Sequence, residues 1–278
     1  AKVESKLSGK IQIDGSSTVY PITMAVAEEY MKVNPNVSVT VGISGTGGGF
    51  KRFTAGEIEI SDASRPIKDE EAKKAKSNGV DYLEIPVAVD GISVVVNRSN
   101  DWAKDITVEE LKKIWEQGSK IKSWKEIRPA WPDEKLVLYG PGTDSGTFDY
   151  FTEEIVGEAR KSRSDFTASE DDNVLVQGVS GDKGALGYFG FSYYVENMDK
   201  LRALAVNGVT PTAETITKGT YKPLSRKIYI YVNKKALKRP EVKSFVEYYL
   251  TKGKDLVPET GYVKLPDADY KASLDLLK

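Results

Sequence analysis

Lys10-Ile11-Gln12-Ile13-Asp14 alternates polar and apolar positions, and a period of two predicts a half-buried strand. The period then changes. Ile22, Val26, Tyr30 and Val33 recur at spacings of four, four and three, which predicts a helix from about Tyr20 to Val33, ended by Pro35. Val37 to Val41 reads as a second strand. It runs into Gly42-Ile43-Ser44-Gly45-Thr46-Gly47-Gly48-Gly49-Phe50 and a helix that stops near Gly56. Ile58 to Asp62 reads as a third strand, with Asp62 at its carboxyl end, and Asp69 to Ser77 as a charged surface helix turning at Asn78-Gly79. This alternation of strands and helices predicts an α/β unit with a mostly parallel sheet. Ligands of such sheets bind beyond the carboxyl ends of the strands, where the Asp14-Gly15-Ser16-Ser17-Thr18-Val19-Tyr20 loop, the glycine-rich loop and Asp62 all fall.

Further along, Asp81 to Asn97 predicts two strands, joined or bent at Asp90-Gly91, and a first crossing between domains. Thr107-Val108-Glu109-Glu110 has the spacing of a capping box and opens a helix to Gln117. Lys135 to Tyr139 is a strand that delivers a third loop, Gly140-Pro141-Gly142-Thr143-Asp144-Ser145-Gly146-Thr147-Phe148, ahead of a helix from about Thr147 to Val156. Lys161 to Asp172 reads as polar loop, Asn173 to Val179 as helix, and Ala185 to Phe189 and Leu201 to Val206 as strands. Lys227 to Val232 is a strongly β run and the return crossing. Pro240 and Gly253 bracket a helix, and Asp267 starts a last one.

Three Ser/Thr/Gly loops, each feeding a helix, point to one oxyanion held by neutral donors. Glycine lets the backbone approach a ligand, and a helix start presents unpaired N–H groups to an anion. A turn plus a helix cap accounts for Ser17-Thr18 taken alone. It accounts less well for Gly45-Thr46-Gly47-Gly48-Gly49, whose glycines are costly to order. The spacing excludes a P-loop, since Gly48-Gly49 stand where Lys-Ser/Thr would follow. It also excludes the serine-hydrolase elbow, since Thr143 and not glycine stands two residues before Ser145.

Composition narrows the chemistry further. The 278 residues suffice for about two domains. With 40 basic and 41 acidic residues there is no basic excess to hold nucleic acid. Cysteine and histidine are both absent, which removes disulfides, the common zinc sites and histidine-based triads; no cofactor or metal is expected. No run of about 18 apolar residues predicts a membrane span. The polar opening Ala1 to Lys6 reads as a mature N-terminus or tether.

Asp14-Gly-Ser-Ser-Thr-Val-Tyr-Pro21, Ser44-Gly-Thr-Gly-Gly-Gly49, Ser61-Asp-Ala-Ser64 and Asp144-Ser-Gly-Thr147, in this order, resemble the PstS family of phosphate-binding proteins of ABC importers, most closely its SphX-like branch. The likeness runs through Gly184-Ala-Leu-Gly-Tyr188 to Tyr229 and so spans nearly the whole chain. It implies a two-lobed type II periplasmic binding fold, with mixed sheets flanked by helices and a ligand cleft between lobes. Lobe 1 would be residues 1–90 and 226–278, and lobe 2 residues 91–225. It implies a monomer, periplasmic or extracellular, either free or lipid-anchored, that binds inorganic phosphate and delivers it to a membrane permease.

By motif match the resemblance assigns Ser17, Thr18 and the Val19 amide to phosphate from the first loop, and Thr46 and the Gly47 amide from the second. Asp62 would be the carboxylate, and Ser145, Gly146 and Thr147 the segment of the other lobe. One position departs: the arginine that usually precedes Ser-Gly-Thr is missing from Gly140-Pro141-Gly142. Arg163 is the first candidate to supply that charge and Arg65 the second. An ionised Asp62 only accepts hydrogen bonds, so it would pair with the proton of phosphate and oppose bare sulfate. Leaving such a group unpaired rejects an analogue by roughly 10⁴–10⁵. Three readings compete with phosphate import. They are an importer component for molybdate, tungstate or sulfate, a phosphatase on the same scaffold, and a phosphate sensor or adhesin.

Overall fold

The computed structural model describes residues 6–278; the expected tether, Ala1 to Ser5, lies outside the described residues. The chain forms two compact units. The first comprises the stretches up to Val89, Lys227–Thr260 and Lys264–Lys278; the second comprises Asp90–Arg226 and Gly261–Val263.

The first unit begins as the hydrophobic pattern dictates: β1 (Gly9–Gly15), α1 (Tyr20–Val33), β2 (Val37–Val41), α2 (Gly45–Thr54), β3 (Ile60–Ala63), α3 (Asp69–Ser77) and the start of β4 (Tyr82–Asn97). β1 lies between β2 and β3 and is parallel to both, pairing Ile13 with Val41 and Ile60, and Gly15 with Asp62. In the second unit come β5 (Asp105–Ile106), α4 (Val108–Trp115), α5 (Trp124–Ile127), β6 (Val137–Pro141), α6 (Gly146–Phe151), β7 (Thr167–Ser169), α7 (Asp172–Gly181), β8 (Ala185–Gly190), α8 (Phe191–Val195), β9 (Leu201–Ala203), β10 (Ala205–Val206) and α9 (Ala213–Thr217). The chain then returns through β11 (Ser225–Asn233), α10 (Pro240–Thr251) and α11 (Asp267–Asp275). β11 is antiparallel to β3, pairing Ile230 with Asp62, and β4 follows β11 in the sheet. In the second unit β8 is antiparallel to β4 and parallel to β6, and β7 extends the edge in parallel with β6.

Burial follows the alternation. In the first unit Phe50, Phe53, Ile58, Ala63 and Tyr231 form one apolar cluster under α2 and α3. In the second, Val95, Leu175, Val179, Ala185 and Phe189 pack α7 onto the sheet. The Thr107 box forms as its spacing predicts: the Glu110 N–H donates to Thr107 Oγ1 at 3.1 Å, and the Thr107 N–H to Glu110 Oε1 at 2.9 Å.

Of the join and the bend open at Asp90-Gly91, the structure has the join: β4 is continuous, and Gly91 leaves room for Ile216, whose Cδ1 would lie 2.8 Å from an added Cβ. Two expectations need correction. The polar stretch Lys161 to Asp172 contains an edge strand, β7, as well as loop. Gly261–Val263 groups with the second unit and not with the first, because it packs against the end of β8 there. Gly190 abuts the Gly261 carbonyl, and Ser192 Oγ donates to the Tyr262 carbonyl at 2.9 Å.

Candidate functional site

The carboxyl ends of β1 and β3 meet at close range. Gly15, at φ +137°, leaves no room for a side chain, because a Cβ there would lie 2.2 Å from the Asp62 carbonyl oxygen. That carbonyl accepts the Ser16 N–H at 2.9 Å, and the Gly15 carbonyl accepts the Ser44 N–H at 3.0 Å. A Cβ on Gly49 would sit 2.6 Å from the Gly15 Cα, so glycine here lets α2 pack directly on the strand ends. The first two loops are thereby tied to each other and to the end of β3.

Asp14 is the tie. Its Oδ1 accepts the Gly15 N–H at 2.7 Å and the Ser44 hydroxyl at 2.8 Å, and its Oδ2 pairs with Arg52 Nη1 at 2.5 Å. Burial alone would raise its carboxyl, but the bonds from Arg52, Ser44 and Gly15 outweigh burial and hold it below the usual carboxylate range. Ser16 closes the first turn: its Oγ accepts the N–H groups of Thr18 at 3.1 Å and of Val19 at 3.4 Å. The Val19 amide, expected to face a ligand, thus has a long bond to Ser16, and the Val19 side chain is buried. Ser17 is half-buried and Thr18 buried in the same turn.

Asp62 is built in the opposite way. It is fully buried. Oδ1 accepts the Thr23 hydroxyl at 2.9 Å, while Oδ2 has no hydrogen-bond partner among the described residues. Thr23 spends its one proton on Asp62, so the Tyr249 hydroxyl, 2.9 Å away, is the donor in the next bond. Burial pushes the Asp62 carboxyl up to about 8; the Thr23 bond opposes this and the negative Asp14 adds to it. Thr46, in the first turn of α2, lies beside the strand that carries Asp62. Its Oγ1 accepts the Ser64 N–H at 3.1 Å and is 2.9 Å from Ser64 Oγ. The neighbouring Gly47 faces open space, with no atom within 4 Å of where a Cβ would lie.

In the second unit the third loop leaves β6 and enters α6. Ser145 caps the helix, its Oγ accepting the Thr147 N–H at 3.2 Å. Gly146 and Thr147 complete the first turn, and the helix continues as a wider turn over Thr152–Val156. Glu170 and Arg160 hold the loop from outside. Glu170 Oε1 accepts the Asp144 N–H at 3.2 Å and fills the space beside Gly142, and Arg160 donates to the Thr143 carbonyl at 3.0 Å.

Arg163 stands apart from this arrangement. It is buried, with Nε and Nη2 on the two Asp165 oxygens at 2.7 and 2.9 Å and Nη1 on the carbonyls of Ile114 and Ile121 at 3.1 and 2.9 Å. These bonds staple the loop to the chain after α4, which corrects the ligand role expected for it. Arg65 is likewise engaged, paired at 2.9 and 3.0 Å with both oxygens of Glu71 and seated over the Phe50 ring.

Thr23 and Ser64 are the residues that sequence reasoning passed over. Thr23 carried a signal: it is the polar member of the buried stripe Val19, Thr23, Ala27, Tyr30 on α1. Ser64 carried only its nearness to Asp62, since its partner Thr46 is 18 residues away.

Residues 1–252 match the model of the PBP superfamily domain. The chain is 52% identical over 270 residues to Protein SphX of Synechococcus elongatus, covering 95% of this chain and 80% of that one. It is 42% identical over 274 residues to the phosphate-binding protein PstS of Staphylococcus saprophyticus, covering 95% and 83%. Among solved structures, a possible phosphate-binding protein from Planctomyces limnophilus superposes with a TM-score of 0.92 at 50% identity, covering 98% of both chains. A putative phosphate ABC transporter substrate-binding protein from Clostridium perfringens, solved with bound phosphate, gives 0.63 at 29%, covering 93% of this chain and 100% of that one. The chain belongs to the PBP superfamily and, within it, to the family of SphX and PstS phosphate-binding proteins.

Proposed function

We propose that this chain binds inorganic phosphate and presents it to the membrane permease of an ABC importer, working outside the cytoplasm as a binding protein and not as an enzyme. The observation that carries the ligand is Asp62, a buried acid with one oxygen bonded and one without a partner among the described residues, beside two loops of neutral donors. A buried polar atom without a partner is costly, and a site that keeps one waits for a donor. At pH 9, where Asp62 is ionised, phosphate still carries a proton that can meet it, and molybdate and sulfate carry none.

In the first unit the ligands of this reading are Ser17, Thr18 and the Val19 amide, Thr46 and the Gly47 amide, with Asp62 as the proton partner. In the second they are Ser145, Gly146 and Thr147. The long Val19–Ser16 bond is one that a phosphate oxygen can replace at little cost. Thr23 orients Asp62, and Ser64 supports Thr46. Glu170 and Arg160 hold the third loop in shape without touching the ion.

The test is calorimetric titration of ligand-stripped protein with phosphate, arsenate, molybdate and tungstate at pH 9, where Asp62 is ionised. One-to-one binding of phosphate and arsenate, without binding of molybdate or tungstate, is expected. Binding of molybdate or tungstate in preference would overturn the ligand. Release of phosphate from an ester would favour the phosphatase reading.

A further inference from the structure

The family arginine before Ser-Gly-Thr is replaced by Gly140-Pro141-Gly142, and the guanidiniums of Arg163 and Arg65 are committed to Asp165 and Glu71. Within the second unit a different arginine is placed for the task. The guanidinium carbon of Arg226 lies 3.6 Å from the centre of the Tyr150 ring, a stacked cation–π contact. Tyr150 belongs to α6, three residues after Thr147. Long helical side chains lean back over the turn that precedes them, so the ring covers the level of the first turn, Gly146-Thr147-Phe148. Tyr150 is itself locked, its hydroxyl donating to the Pro223 carbonyl at 2.6 Å. The stacked guanidinium is therefore held at the height of the Ser-Gly-Thr segment.

Asp90 fixes its other side. The Asp90 carboxylate is buried and lies 3.7 Å from Arg226 Nε, and neither oxygen has a hydrogen-bond partner among the described residues. A buried acid arranged in this way depends on the neighbouring cation. Exposure separates the two arginines of this unit. The Arg226 side chain is 21% exposed, whereas that of Arg163 is 5% exposed and sealed.

Building on the phosphate reading, we propose that Arg226 supplies the charged donor missing from the third loop, contacting the phosphate held by Ser145, Gly146 and Thr147, and that Asp90 and Tyr150 position it. Arginine suits the role because its planar fork stacks on an aromatic face and still recognises oxyanions through its edge.

The experiment is phosphate titration of the stripped parent, Arg226→Gln, Arg226→Lys and the double variant Arg226→Gln/Asp90→Asn, with thermal melting of each. The parent titration checks the underlying reading by itself: a parent that ignores phosphate defeats that reading and the inference with it. Given a parent that binds, Arg226→Gln is expected to weaken phosphate roughly 10- to 100-fold, the worth of a hydrogen bond to a charged group. Arg226→Lys should recover part of the loss. The double variant removes both charges, so it should melt closer to the parent than Arg226→Gln does, yet bind phosphate no better. Parental affinity in the double variant would mean that Arg226 only neutralises Asp90 and would overturn the inference, as would an Arg226→Gln variant within twofold of the parent.

Discussion

Asp14 and Asp62 end neighbouring parallel strands of the same sheet, and both are buried. They differ in what surrounds them. Asp14 has a backbone N–H, a hydroxyl and an arginine on its two oxygens, and its carboxyl is held below the ordinary range. Asp62 has one hydroxyl and one empty oxygen, and burial pushes its carboxyl up to about 8. A buried acid with both oxygens bonded is scaffold, because removing any partner only costs stability. A buried acid with a lone pair to spare keeps that capacity for something that arrives. The two arginines of the second unit differ too: the bonds of Arg163 staple two chain segments, while the guanidinium of Arg226 lies on an aromatic face beside a buried counter-ion.

Selectivity is where breaking this contrast has the largest effect. In the proposed reading an ionised Asp62 rejects sulfate because neither group has a proton to share, so at pH 9 the parent should prefer phosphate by roughly 10⁴–10⁵. Asp62→Asn offers sulfate an N–H donor. It should lose most of that preference while phosphate binding weakens far less, which parallel titrations would measure. Asp14→Asn should leave selectivity intact and lower the melting temperature.

Arg163→Gln comes next. It strands the carbonyls of Ile114 and Ile121 and should cost about 3 kcal/mol at the usual penalty for unsatisfied buried groups, with phosphate affinity unchanged in denaturant and binding assays. A large loss of affinity with little loss of stability would restore its ligand role.

Gly49→Ala forces a methyl against the Gly15 Cα and should cost about 1–3 kcal/mol by overpacking. Gly47→Ala meets nothing and should stabilise the unliganded protein by about 0.4–1 kcal/mol. If phosphate approaches the Gly47 amide, the added methyl weakens binding even so, and unchanged binding would remove Gly47 from the site.

A last effect is a slope. Asp62 is raised, so the unliganded protein holds a proton that the unfolded chain releases. That stabilisation is complete below the ordinary carboxylate range and is lost as pH rises through about 8. Asp90, raised to about 6, and Asp172, raised to about 7, both by burial, act in the same direction. Melting temperatures should therefore fall between pH 6 and 9 in the parent, and fall less in Asp62→Asn.

Much of the fold was legible because it rests on local pattern. The alternation in Lys10 to Asp14, the three- and four-residue spacing from Ile22 to Val33 and the Thr107 box each fix an element without help from distant residues. The pattern left the outcome open where a distant side chain decides. Gly91 reads as a join or a bend; Ile216 fills the space beside it and the strand runs on. α5 has only four residues and is too short to show a period. At the candidate site the Ser/Thr/Gly loops and Asp62 were visible as residue types at strand ends. The arginines were not separable in this way. Arg163 is committed by carbonyls more than 40 residues away, and Arg226 is placed by a tyrosine and an aspartate far apart in sequence.

The central claim is that Asp62 reads the proton on the ligand. Titration of the stripped parent with sulfate and with phosphate, at pH 9 and again at pH 6, tests it most directly. At pH 6 Asp62 is protonated and can donate to sulfate; at pH 9 it is ionised and cannot. The account predicts that sulfate competes measurably at pH 6 and vanishes at pH 9, while phosphate binds at both. Sulfate affinity that is the same at the two pH values, or stronger at pH 9, would contradict it.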